Sequence, residues 1–426
     1  MQNKIKFIEG GVCAPEGFSA NGILCHIKAN EKKNDTALIF SQKICNAAGV
    51  FTQNRVKAES VKLTQKHLSD GKAQALIAIS GNANCCTGAQ GAENALRMAK
   101  AAAGALKIKS EDVIVYSTGV IGTQLDVTKI ENNAEKLVNG LSKEGNKEAR
   151  VAIMTTDTQY KECALEFFVG GKVCHMGSMC KGSGMIHINM GTMLSVITTD
   201  CAISSQMLNK ALKESIEGSY NCVSVDGDTS TNDSLTIMAN AMAGNKEITE
   251  DGEDFQIFLE ALNKLNRVMA RKIAADGEGA TRLIECNVKG ASCIKAARGL
   301  AKEIICSNLV KAAMFGSDAN FGRFLCAMGY SGIEFNPDKT SIYFTSKKNS
   351  KRYFENLDTF EVHGENCIKV FENGVPLNFD EDRAKEIMSE EAVEILVECQ
   401  DGDACGTAWG CDLTYDYVKI NGDYRS

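Results

Sequence analysis

The stretch that most restricts what this chain can fold into lies near its middle. Lys181-Gly182-Ser183-Gly184-Met185-Ile186-His187-Ile188-Asn189-Met190-Gly191 leads through small and flexible residues into Thr192-Met193-Leu194-Ser195-Val196-Ile197-Thr198-Thr199-Asp200. An apolar, β-branched run behind a glycine-rich approach reads as a buried strand, with Thr192 at its entrance. Gly191 precedes Thr192, so the hydroxyl is placed to attack the bond behind it. Scission there would leave Thr192 with a free α-amine, and one residue would carry both nucleophile and base. The plain alternative is a threonine that merely opens a strand.

A buried strand needs partners, and the chain supplies them. Ala37-Leu38-Ile39-Phe40 and Gly49-Val50-Phe51-Thr52 read as short strands, with a turn at Asn21-Gly22. Ala75 to Ser80 is a strand that breaks at Gly81, and Val113 to Tyr116 is one that ends in Ser117-Thr118-Gly119. Val151 to Met154 reads as a strand running into Thr155-Thr156-Asp157-Thr158, and Glu166 to Val169 as another. Helical patterns cover Ala92 to Leu106, Val127 to Leu141, Ser204 to Ile216, Leu235 to Ala243, Phe255 to Ala275, Ala296 to Ala313 and Glu381 to Ser389. Gly316 to Arg323 looks turn-like; strands are expected around Ile333, Ile342 and Phe371, and a closing strand over Thr414 to Ile420. Loose alternation with several strands in succession predicts layered α and β rather than a doubly wound sheet. At 426 residues there is chain enough for two or three lobes.

Composition narrows the function classes. The net charge of −7 and the even spread of Lys and Arg give no basic footprint for nucleic acid, and 6% aromatic residues leave few stacking platforms. No run approaches the ~18 apolar residues of a membrane span, and Met1 to Gly10 lacks the apolar core of a signal peptide. A cytoplasmic protein without membrane contact is the expectation. The 18 Cys include no CxxC pair, so reduced, mostly buried thiols are expected. Cys174, His175 and Cys180 lack a second cluster to complete a zinc set, and no metal is expected.

Familiar catalytic signatures are missing: no G-x-S-x-G elbow, no Walker A loop, no G-x-G-x-x-G after a strand. Only five His occur, and His187 reads either as a base or as a packing residue. Scarce histidine favours a nucleophile that brings its own amine. Thr118-Gly119, at a strand end, can offer N–H and hydroxyl donors to an oxyanion, or can be a plain turn. Asp226-Gly227-Asp228 with Asp233 lacks the closing Glu of an EF-hand loop. Asp276, Glu278 and Arg282 read by default as a solvated turn.

Taken together, these stretches resemble the glutamate N-acetyltransferase/ornithine acetyltransferase family of arginine biosynthesis. The resemblance is carried by Lys181 to Leu194, Ala47 to Thr52 with Asn54, Ser80 to Asn84, Ser117 to Gly122 and Met154 to Thr158. It continues through Val225 to Asp233, Asp276 to Thr281, Ala408 to Thr414 and Tyr417 to Asn421, in family order along the chain. Ile188 stands where the family usually has Pro, Gly191 where it has Ala, and Ser426 where Thr is common. Asp318-Ala319-Asn320-Phe321-Gly322-Arg323 departs from the usual Asp-Pro-Asn-Trp-Gly-Arg.

The resemblance implies an α/β fold, a layered α/β/β/α-type sandwich with a smaller C-terminal lobe at about residues 290–400. It implies self-cleavage between Gly191 and Thr192, giving an α chain of residues 1–191 and a β chain of residues 192–426. Thr192 would be the nucleophile in a ping-pong transfer of acetyl from N²-acetyl-ornithine to glutamate, with Thr118 and Gly119 stabilising the oxyanion. Thr155, Lys181, Thr192, Glu278, Asn421 and Ser426 match substrate-contact positions; Lys181 suits a carboxylate and Glu278 an ammonium. No cofactor is implied, acetyl-CoA is a candidate second donor, and the assembly implied is an α2β2 tetramer. The alternative from the same superfamily is a self-cleaving aminopeptidase or amidohydrolase, which passes the acyl group to water.

Overall fold

A computed structural model describes residues 5–28, 32–187, 193–346 and 366–422. Ile188, Gly191, Thr192 and Ser426, singled out above, lie outside the described residues. In chain order the first strands and helices are β1 (Lys6–Ile8), β2 (Phe18–Ile23), β3 (Thr36–Phe51), α1 (Glu59–His67), β4 (Lys72–Asn82), α2 (Gly88–Leu106) and β5 (Val113–Val120). Then come α3 (Thr128–Glu131), α4 (Ala134–Asn139), α5 (Asn146–Ala152), β6 (Lys161–Val169), β7 (Lys172–Lys181), β8 (Ile186–His187) and β9 (Leu194–Thr199). Next are α6 (Ser205–Glu217), β10 (Ser224–Thr229), β11 (Ser234–Ala239), α7 (Glu253–Ala275), β12 (Leu283–Ala291), α8 (Ile294–Cys306), α9 (Asn308–Gly316) and α10 (Phe321–Tyr330). The chain closes with β13 (Ser341–Ser346), β14 (Cys367–Glu372), β15 (Val375–Pro376), α11 (Glu381–Met388), β16 (Ala392–Glu398), β17 (Ala404–Cys411) and α12 (Tyr415–Asn421).

The residues divide into two units: 1–182, 189–217 and 229–269 form the first, and 183–188, 218–228 and 270–426 the second. In the first unit the sheet order is β1-β6-β7-β9-β11-β3-β4-β5, with β2 also paired to β3. Strand β3 does most to shape it. Its first residues pair with β2 and β4, its last with β11, and the β4 register shifts between Phe40 and Cys45. Such an irregularity bends a strand and re-aims it. The consequence is visible at Tyr116 of β5, whose hydroxyl donates to the Ser195 carbonyl of β9 at 2.9 Å and meets Thr236 Oγ1 of β11 at 2.7 Å. β5 is separated from both in the ladder, so the two halves of the sheet face each other.

Alternation along the strands sorts residues into layers. Leu76, Ala78, Ile114 and Tyr116 join Met179, Leu194, Val196 and Met238 in the core between the halves. Ala75, Ile77, Ile79, Val113 and Val115 point the other way, onto Met98, Ala99 and Ala102 of α2. On the far side Phe167 of β6 makes an edge contact, 6.0 Å between centroids, with Phe258 of α7. Helix, sheet, sheet and helix thus stack as the expected α/β/β/α sandwich.

The second unit holds a six-stranded sheet, β15-β14-β13-β16-β12-β17, and a two-stranded ladder of β8 with β10. Phe324 of α10 meets Phe344 of β13 edge-on at 5.2 Å, and Phe321 stacks on Phe371 of β14 at 5.3 Å. Buried Arg271 pairs with Glu285 at 3.0 Å, and the same carboxylate accepts Trp409 Nε1 at 2.8 Å. Among the described residues no helix is long and apolar enough to cross a membrane.

Several local expectations give way. Val151 to Met154 is not a strand: Val151 and Ala152 end the helix α5, in which the good helix formers Lys147, Glu148, Ala149 and Arg150 come first, and Ile153 follows as its C-cap. Leu235 to Ala243 is not a helix, because its first residues form β11, hydrogen-bonded on one side to β3 and on the other to β9. Thr414 to Ile420 is not a strand: the Thr414 hydroxyl accepts the Tyr417 amide and caps α12. Of the turn-like run Gly316 to Arg323, Gly316 ends α9 and Phe321 to Arg323 open α10; Ile333 lies in no strand, and Asn21-Gly22 falls inside β2. The expected helix from Ala296 to Ala313 is two, broken at Ser307, whose hydroxyl accepts the Val310 amide.

Candidate active site

In the first unit Thr118, Gly119 and Lys181 lie at strand ends, and Thr155 in the bend between α5 and β6. β4 and β5 run parallel, pairing Ser80 with Thr118 and Gly81 with Gly119. Gly119 has φ +133, and a Cβ there would lie 2.3 Å from the Gly81 carbonyl carbon and 2.5 Å from the Asn82 nitrogen. Only glycine fits that crossing. The strand end is fixed from behind: buried Asn232 donates to the carbonyls of Ala83 and Ser117, both at 2.7 Å, and Ser117 Oγ donates to Ala83 O at 2.8 Å. Thr118 and Gly119 are themselves partly exposed at the end of this clamp.

Thr155 and Lys181 come together through a residue that the sequence reading gave no role, Asp157. Its Oδ1 accepts Lys161 Nζ at 2.6 Å and the Gly182 amide at 2.8 Å, while Oδ2 accepts the Thr155 amide at 3.1 Å. Burial alone would lift the Asp157 carboxyl; Lys161 and Lys181, with the Gly182 amide, outweigh it and hold the group at about 2. Asp157, Lys161 and Lys181 are 5%, 1% and 8% exposed. Lys181 ends β7, opposite Leu194 of β9, and so adjoins the strand that Thr192 precedes in sequence.

In the second unit Glu278 and Asn421 meet directly, Asn421 Nδ2 donating to Glu278 Oε2 at 2.8 Å. The Glu278 amide donates to Ser183 O at 2.9 Å. Gly184 lies so close that a Cβ on it would stand 2.2 Å from Glu278 Oε2. The run from Asp276 to Arg282 is therefore not a solvated turn: Asp276 is 5% and Glu278 7% exposed. Asp412 holds its far end, accepting the amides of Thr281 and Arg282 at 2.9 and 3.1 Å.

Asp226 plays the corresponding part for the 183–187 segment. Its oxygens accept the Met185 amide at 2.6 Å, the Ile186 amide at 2.8 Å and the Asp228 amide at 3.1 Å. Burial raises the Asp226 carboxyl above the usual range against those amides. Tyr417 of α12 is raised in turn, by burial first and then by Asp226 and Glu278. His187 resolves to its packing alternative: its Nδ1 faces Ser224 Oγ at 3.1 Å and Cys306 Sγ at 3.7 Å. Burial, aided by Lys302, pushes its ring from 6.5 down to about 4, so it is neutral near pH 7. His175 turns to Asp200, 2.9 Å away, and among the described residues no three His, Cys, Asp or Glu gather as a metal set.

Sequence reasoning passed over Asp157, Lys161, Asp226 and Tyr417 as working residues. Asp157 and Asp226 sat inside stretches that already carried the resemblance, and that was the available signal. Lys161 had none, since a lysine opening a strand looks solvated.

A family model described as the ArgJ family matches residues 19–426. The arginine biosynthesis bifunctional protein ArgJ of Caldanaerobacter subterraneus subsp. tengcongensis is 48% identical over 422 residues, covering 99% of this chain and 100% of that protein. The arginine biosynthesis bifunctional protein ArgJ 1 of Clostridium acetobutylicum is 49% identical over 409 residues, 96% of each chain. A crystal structure of arginine biosynthesis bifunctional protein ArgJ from Bacillus halodurans is 39% identical, covers 53% of this chain and 97% of that one, and gives a TM-score of 0.47. With the family model matched from residue 19 to the last residue, and relatives identical at almost half their positions along its length, the chain belongs to the ArgJ family.

Proposed function

We propose that this protein transfers the acetyl group of N²-acetyl-L-ornithine to L-glutamate, giving L-ornithine and N-acetyl-L-glutamate. The observation that carries the reading is the match to proteins named as bifunctional ArgJ over nearly the whole chain. The precursor cuts itself between Gly191 and Thr192, yielding chains of residues 1–191 and 192–426. Thr192 Oγ then attacks the acetyl carbonyl, passing its proton to its own α-amine. Thr118 and Gly119 stabilise the oxyanion. The C–N bond breaks, ornithine leaves carrying that proton on its amine, and acetyl remains as an ester on Thr192. The glutamate amine attacks the ester, its proton returns to Thr192, and N-acetylglutamate departs.

Thr155, Lys181, Glu278, Asn421 and Ser426 contact the amino-acid substrates. No cofactor takes part, because the two substrates supply every atom transferred. Acetyl-CoA serves as a second acetyl donor, as the bifunctional names of the relatives suggest. The two chains assemble as an α2β2 tetramer in the cytoplasm.

Incubation with N-acetyl-ornithine, with and without glutamate, tests the transfer. Equal amounts of ornithine and N-acetylglutamate, formed continuously only when glutamate is present, are expected. Sustained ornithine release without glutamate would assign hydrolysis, the aminopeptidase-like alternative, and overturn the reading. Denaturing electrophoresis tests the nucleophile separately: two bands are expected for the wild type and one for Thr192→Ala. A third arm with acetyl-CoA as sole donor decides the second activity.

A further inference from the structure

Three charged side chains crowd one end of β7, each more than nine-tenths buried: Asp157, Lys161 and Lys181. Two ammonium groups face one carboxylate, so the cluster carries a surplus positive charge when all three are ionised. Three other donors hold the carboxylate: Lys161 Nζ and the Gly182 amide on Oδ1, and the Thr155 amide on Oδ2. Lys181 feels Asp157 electrostatically but, among the described residues, donates no hydrogen bond to it and joins no ion pair. Burying an ammonium without a hydrogen-bonded counter-charge is costly, so such a group is a place for an anion to arrive.

We propose that Asp157 and Lys161 are positioning residues that set the charge and place of Lys181, so that its ammonium is presented to the α-carboxylate of the amino-acid substrate. The proposal rests on the acetyl-transfer reading above, with Lys181 as the carboxylate contact. Each member of the pair has a separate task. Asp157 pins the backbone on both sides, at Thr155 and at Gly182 directly after Lys181, and its negative charge lets two lysines share the space. Without it, two buried like charges would repel and one would shed its proton. Lys161 occupies the Asp157 oxygen that Lys181 would otherwise claim. Without it, Lys181 would close onto Asp157, the cluster would be neutral, and the substrate carboxylate would meet no free charge. The strand start at Lys161 and the strand end at Lys181 are registered against each other by the β6–β7 ladder, where Lys161 lies opposite Cys180.

The experiment compares two donors, N-acetyl-ornithine and its carboxamide N-acetyl-ornithinamide, on the full-length wild type, Asp157→Asn and Lys161→Met. The readout is the ratio of kcat/KM for carboxylate over carboxamide, which a merely structural role would not move. The wild type should prefer the carboxylate by about tenfold or more, the scale of a buried charge contact. In both variants the ratio should fall towards one, through a raised KM for the carboxylate donor. The carboxamide constants should stay within about threefold of wild type, since that donor has no charge to lose. Asp157→Glu, which keeps the charge, should retain part of the preference. A ratio unchanged from wild type in the variants, whatever happens to total activity, overturns the proposal. A wild type that transfers acetyl from neither donor overturns the acetyl-transfer reading instead. If Asp157→Asn fails to fold, as a thermal melt would show, Lys161→Met still decides, because it leaves both Asp157 amide bonds in place.

Discussion

At the scale of single residues, two glycines separate structural from substrate-binding constraint. Alanine at Gly119 would meet backbone, at 2.3 and 2.5 Å, with φ in a region that side chains rarely adopt. Gly119→Ala should cost about 1–3 kcal/mol in backbone strain alone, read as a lower denaturant midpoint together with loss of activity. At Gly184 the atoms nearest an added Cβ belong to the end of the Glu278 side chain, the first at 2.2 Å. Gly184→Ala should leave the melting temperature nearly unchanged and raise KM; a large loss of stability would show that Glu278 cannot move aside. His187 supplies a pH signature. Its folded value of about 4 lies below the ordinary 6.5, so between those values the unfolded chain binds a proton that the folded chain does not. The His187 contribution is whole above pH 6.5 and is lost as pH falls towards 4. His187→Gln should flatten part of the decline in stability from pH 7 to pH 5, and identical slopes for the two proteins would exclude this.

At the scale of elements, the readings that failed share a cause. Val151-Ala152 and Val418 to Ile420 are apolar or β-branched enough to look like strands, but each lies in the last turn of a short helix whose start is set by other residues. Local pattern is a weak prior where an element is short; in α12 the Thr414 cap decides it. α12 is the consequential case, because it carries Asn421 to Glu278. Thr414 both accepts the Tyr417 amide and donates to Gly279 O at 2.7 Å, tying the cap to the Glu278 loop. Thr414→Ala should cost about 1 kcal/mol locally. Faster hydrogen exchange at residues 417–421 and a raised KM are expected, with little change in global melting. β11 failed in the opposite sense, since Leu235 to Ala239 owes its extended form to the strands on either side of it.

At the scale of the whole molecule, Tyr116 reports that the first unit's sheet is folded over on itself. Tyr116→Phe keeps the ring but leaves the Ser195 carbonyl and Thr236 hydroxyl short of a buried partner. A loss of about 1–3 kcal/mol is expected, measured by chemical denaturation; a neutral result would mean that those groups are satisfied without it. The sequence by itself determined the family, the α/β layering and the residues to watch. Those depend on short motifs and on runs such as Ala75 to Ile79 that are apolar on both faces, and such signals survive without knowing which segments meet. What only the tertiary structure decided is how those residues are held. Asp157 is four residues from Lys161 but 24 from Lys181, and Asn421 is 143 residues from Glu278. Whether a carboxylate is a solvated turn residue or a buried pin depends on burial and on which lysine or amide arrives beside it. Both are set by distant chain, and no local window of sequence contains them.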